Sequence, residues 1–116
     1  MIKIKKGSPD WFMFGEISPK LGIVFYEFVL LMKRRGIDNL VITSIKRKKE
    51  NDSGVHAVGR AIDISLTGVP KNIAQEVAEI INALYPYGSG KQSVILHTGV
   101  GYGGDNAEHI HIQSNE

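Results

Sequence analysis

Four residues near the middle and the end of the chain carry the chemistry: His56, Asp63, Glu108 and His111. His56 and Asp63 stand seven positions apart around a Gly59-x-Ala61 step, and Glu108 precedes His111 by three. Two imidazoles and one carboxylate supply three nitrogen or oxygen donors, which leaves one corner of a tetrahedral zinc ion open to water. A further carboxylate beside that water is what metal-assisted hydrolysis requires. The pattern His-x-x-Gly-x-Ala-x-Asp with a late Glu-x-x-His is far more specific than any lone histidine. His97, by contrast, stands alone in an apolar run and reads as structural or exposed.

These residues need strands to position them. Residues 61–65, AIDIS, alternate with period two, so Asp63 shares a face with Ala61 and Ser65 while Ile62 and Ile64 point into a core. His56 and Asp63 differ by an odd number and cannot share a face of one regular strand, so the chain turns between them, and Gly59 is the natural place. His109 and His111 are two apart on the last strand, Glu108 to Gln113, and share a face. Laid side by side, these strands bring Asp63 to His111, with His56 entering from the preceding loop. Strict alternation puts His109 rather than Glu108 on the His111 face. Both therefore stand as candidates for the base: Glu108 is the first choice at the strand's start, with His109 in support.

The rest of the chain supplies the frame. Ile2 and Ile4 alternate with Lys3 and Lys5 in a short strand pattern, and a Gly- and Pro-punctuated loop carries Trp11, Phe12, Met13 and Phe14, a plug packed on the core or else a substrate-facing wall. Ser18 and Pro19 open a helix that runs to about Arg35 and stops at Gly36, with Lys33, Arg34 and Arg35 in its last turn. Leu40 to Ser44 is a buried strand, and Lys46 to Gly54 a polar loop. Pro70 starts a second helix with Ile73, Val77, Ile80, Ile81 and Leu84 on one stripe, ending near Tyr85. Ser93 to Thr98 is a further strand, and the four glycines between Gly99 and Asn106 mark a loop. The strand connections are too short for several parallel crossovers. The expected class is α+β, a small, mostly antiparallel sheet packed with two main helices.

Composition sets the outer bounds. A chain of 116 residues is one domain, 1–116. Its net charge of +2, from 14 basic and 12 acidic residues, gives no footprint for nucleic acid. With no cysteine there is no disulfide framework, and any metal must be held by His, Asp or Glu. No apolar run behind the N-terminal lysines has signal-peptide form, and none approaches a membrane span. The expectation is a monomer made in the cytoplasm that reaches any outside target only after release.

The motif resembles that of the zinc-dependent D-alanyl-D-alanine peptidase family, Ser-x-His-x-x-Gly-x-Ala-x-Asp with a downstream Glu/Asp-x-x-His or His-x-His. That family includes phage endolysins of L-alanyl-D-glutamate endopeptidase type and shares its fold with the hedgehog signalling domain. The chain matches at His56, Gly59, Ala61 and Asp63, and again at Glu108, His109 and His111. Upstream, the segment from Thr43 to Arg47 resembles the family's Thr-Ser-Gly-Tyr-Arg, and the likeness spans about residues 40–113. Gly54 stands where the family has its serine, and Ile45 and Lys46 where it has Gly and Tyr.

The resemblance implies a hedgehog-like fold with His56, Asp63 and His111 as zinc ligands and Glu108 as general base. Arg47 would bind substrate or steady the developing oxyanion, as a fixed cation can. It also implies a substrate, the stem peptides of bacterial peptidoglycan, cut within the wall by an endolysin-type endopeptidase of phage or prophage kind. A D,D-carboxypeptidase or dipeptidase stays open as an alternative. So does a non-catalytic, metal-bearing binding or virion module of the same fold.

Overall fold

The computed structural model describes residues 2–4, 17–45, 60–98 and 108–115. Among these residues five strands and two helices follow one another as β1 (Ile2–Ile4), α1 (Pro19–Arg34), β2 (Leu40–Ser44), β3 (Ala61–Ser65), α2 (Lys71–Leu84), β4 (Val94–His97) and β5 (His109–Gln113). The strands form one sheet in the order β1-β2-β3-β5-β4. β1 runs parallel to β2, across the α1 crossover, and every other pair is antiparallel. The fold is thus α+β, with a small, mostly antiparallel sheet and two helices.

The first helix forms for reasons written at its ends. The Ser18 hydroxyl accepts from the Leu21 N–H at 3.1 Å, and Pro19 fills the first helical position, where no N–H is needed. At the other end Gly36 takes a φ of +82°, a region open to glycine at little steric cost. Its N–H bonds the Lys33 carbonyl at 3.0 Å, and the Ile37 N–H bonds that of Met32 at 3.0 Å. This is a Schellman closure, and it satisfies carbonyls the helix would otherwise leave open. Leu21, Val24, Phe25, Phe28 and Met32 make the buried stripe.

The second helix buries Ala74, Val77, Ala78 and Ile81, a spacing of three and four that lies along one face. That stripe differs from the one expected from its larger apolar residues. Leu84 is 60% exposed, and Ile73 and Ile80 are only partly buried. The two alanines take the inner positions because the helix packs closely against α1 and the sheet, where a small side chain fits.

Both helices pack in one cluster with the even-numbered residues of the strands: Leu40, Ile42, Ile62, Ile64, Val94, Ile110 and Ile112. Period two then sends the odd-numbered residues of β3, β4 and β5 to the opposite face. Burying one fully apolar row fixes the register, since a slip by one residue would exchange the faces.

Candidate functional site

On the face away from the helices, cross-strand pairing sets polar residues in rows. Asp63 of β3 stands opposite His111 of β5, which stands opposite Ile95 of β4. One step along, Ser65 faces His109 and His109 faces His97. A step the other way, Ala61 faces Gln113. Beyond Asp63, a register shift in β2 sets Ser44 opposite it, and the Ser44 hydroxyl is buried with no hydrogen-bond partner among the described residues.

His111 is the centre. Its Nδ1 lies 2.8 Å from Asp63 Oδ1, and both side chains are largely out of water, at 14% and 11% exposure. Its Nε2 lies 3.1 Å from Gln113 Oε1. Gln113 is itself buried, and its Nε2 donates to the Gln92 carbonyl at 2.8 Å. Two more imidazoles flank the ring. His97 has its centroid 5.9 Å from that of His111, nearly edge-on, and 4.7 Å from that of His109. Burial holds His97 below the ordinary histidine value of 6.5; His109 and His111 push the same way, and Asp63 pulls back.

Glu108 directly precedes β5. Its carbonyl accepts from the Leu66 N–H at 3.2 Å, so its backbone already continues the ladder between β3 and β5. Leu66 belongs to the core. The position opposite it therefore opens toward the helix side, and Glu108 Oε2 pairs with Lys71 Nζ at the start of α2, 2.8 Å away. His109 and His111 share the other face, as alternation requires. His56 and Arg47 lie outside the described residues, as do Gly59 and the Trp11–Phe14 plug.

The donors present suit a divalent cation. A carboxylate oxygen and an imidazole nitrogen that face one another need a positive charge between them, a proton or a metal ion. With bonds of about 2.0–2.2 Å at a tetrahedral angle, two such ligands stand roughly 3.3 Å apart, a small opening from the observed contact. The orphaned Ser44 hydroxyl is one more polar group along the same row. Among the described residues no group of three His, Cys, Asp or Glu side chains could hold an ion. Asp63 and His111 supply two donors, so an ion bound there would need a third from elsewhere.

The sequence pattern marks His97 only as structural or exposed and does not single out Gln113. Each lay in plain view on a strand of period two. Their relevance depended on which strands are neighbours, and on the β4–β5 register that sets His97 against His109. No family model, no curated protein and no solved structure matches this chain. No helix among the described residues is long and apolar enough to cross a membrane.

Proposed function

We propose that the protein is a zinc-dependent peptidase that hydrolyses peptide bonds in the stem peptides of bacterial peptidoglycan, in the manner of a phage or prophage endolysin. The observation that carries this reading is the Asp63–His111 pair: a carboxylate and an imidazole 2.8 Å apart, nearly buried, on the side of the sheet away from the two described helices. The motif around them supports it, with His56 as third ligand and a hedgehog-like arrangement of the domain. A zinc ion held there would supply Lewis-acid polarisation of the scissile carbonyl and a more acidic water.

The chain's own groups have the remaining roles. Asp63 and His111 hold the ion from adjacent strands, on a frame fixed by the register of β3 and β5. Arg47 binds the substrate or steadies the negative charge that develops on its carbonyl oxygen. Glu108 accepts the proton of the attacking water and returns it to the leaving amine. To do so it must leave Lys71 and turn from the helix side of the sheet to the face of Asp63 and His111. Its side chain is 35% exposed and that of Lys71 59%, and a pair so wet holds by about 0–1 kcal/mol. Breaking the pair is the smaller demand, and the change of face is the larger. The placement of His109 beside His111 favours a second assignment, in which His109 handles the proton and Glu108 stays on Lys71.

Work at the cell wall follows from this reading, with a monomer released from the cytoplasm as the simplest form. The deciding experiment is incubation of the purified protein with peptidoglycan, with and without a chelator, followed by mass analysis of the fragments. Chelator-sensitive release of new amino and carboxyl termini is expected, and the fragment masses identify the bond. Intact peptidoglycan after incubation with the zinc-loaded protein would leave the non-catalytic binding module in its place.

A further inference from the structure

We infer that Gln113 holds the hydrogen of His111 on Nε2, and so leaves Nδ1 as the nitrogen that faces Asp63 and an ion; the inference rests on the metal-site reading above. It makes Gln113 a positioning residue that acts on the metal through His111.

Gln113 closes β5, two residues beyond His111 on the same face, and is 7% exposed. Its backbone N–H is fixed by the Ser93 carbonyl at 2.8 Å. Its side-chain Nε2 lies 2.8 Å from the Gln92 carbonyl oxygen. A carbonyl only accepts, so the amide must present its NH2 group to Gln92 and its oxygen to the ring. Turned over, two oxygens would face each other at that distance. The amide oxygen lies 3.1 Å from His111 Nε2. An amide oxygen also only accepts, so Nε2 carries the hydrogen.

In the neutral ring Nδ1 is then the bare nitrogen. Its lone pair aims at Asp63 Oδ1 from 2.8 Å, an arrangement that calls for a cation between them. The opposite tautomer would close the site. A hydrogen on Nδ1 would bond the carboxylate directly and occupy the place of the ion. Gln113 opposes that tautomer, because it would set the bare Nε2 against an amide oxygen. The hydrogen-bond partner of the far nitrogen thus decides which nitrogen a metal meets. The residue two places after the last ligand becomes part of the site, although it touches neither ion nor substrate.

The test uses the full chain stripped of metal, with zinc alone as probe. Zinc affinity is measured for wild type, Gln113→Met and His111→Ala, and the His111 ring nitrogens are followed by nitrogen-15 NMR. Gln113→Met keeps the side-chain length and removes the acceptor. Its zinc affinity is expected to fall about 10- to 100-fold, as removal of a ligand's hydrogen-bond partner typically does, with the melting profile retained. In the metal-free wild type, Nε2 is protonated whether or not Nδ1 is; in Gln113→Met the neutral ring shifts its hydrogen toward Nδ1. A wild-type ring with hydrogen on Nδ1 alone overturns the inference, whether or not the variant folds. So does a folded Gln113→Met that binds zinc as tightly as wild type while His111→Ala does not bind. If wild type takes up no zinc, the metal site itself falls, and the ring spectrum still decides where Gln113 puts the hydrogen.

Discussion

Asp63 carries a largely buried carboxylate, and so placed it must have a partner or be neutral. His111 is that partner. On the proposed reading both are ligands, and Asp63→Ala or His111→Ala lowers bound zinc from about one per chain to near none. Metal analysis after gel filtration checks this, with circular dichroism to show that the variant is folded. Glu108→Ala should keep the metal and lose about 10²- to 10⁴-fold in turnover, the usual reach of a general base. If Glu108→Ala still turns over and His109→Ala does not, the base is His109. His97 makes a separate prediction. Its folded value lies below 6.5, through burial first and the neighbouring imidazoles next. The unfolded chain therefore binds more protons than the folded one between the two values, and stability rises with pH there. That contribution is complete above the unfolded value, about 6.5, and is lost as pH falls through the folded one. The thermal midpoint of the chelated protein should drop from about pH 7.5 to pH 5, by less in His97→Asn than in wild type. Equal drops in the two proteins would remove His97 from the account.

The Lys71–Glu108 pair ties the first residue of α2 to the residue just before β5, and it bears on the choice of base. An exposed pair worth at most about 1 kcal/mol limits the benefit of freeing Glu108 to roughly fivefold. Lys71→Ala should thus leave turnover within about fivefold of wild type, on the high side if Glu108 is the base. A loss as large as that of Glu108→Ala would show instead that Lys71 holds the carboxylate in its working position. Elements of this kind were readable to different depths. Helix α1 was legible at both ends, because Ser18, Pro19 and Gly36 act locally through caps and a positive φ. The alternation in β3 and β5 was equally local, and it set Asp63 and His111 on one side of their strands. The inner stripe of α2 was not legible. Hydrophobic size pointed to Leu84, whereas the close approach of the neighbouring elements selected Ala74 and Ala78. Nor could the sequence show that β4 lies beside β5. The place of His97 and the role of Gln113 depend on strand order and register, which local propensity does not encode.

Among the described residues the helices and the apolar rows of the sheet lie on one side, and Asp63 and His111 lie on the other. The core therefore does not depend on a metal to form, unlike a small zinc finger, where binding and folding are one event. A metal should still stabilise it, because an ion that binds only the folded chain adds about 2.7 kcal/mol at a hundredfold excess over its dissociation constant. For a domain of this size that is roughly 10 °C in the thermal midpoint. The expected record is a single cooperative melt with chelator, shifted upward by zinc in a concentration-dependent way. Asp63→Ala should melt cooperatively with no such shift, since it keeps the apolar core and loses a donor. The comparison separates the two sides of the sheet. A chelated protein with no cooperative melt would show that the ion is part of the fold. A midpoint indifferent to zinc in wild type would show that the Asp63–His111 pair is closed by a proton alone, and the peptidase reading would lose its first requirement.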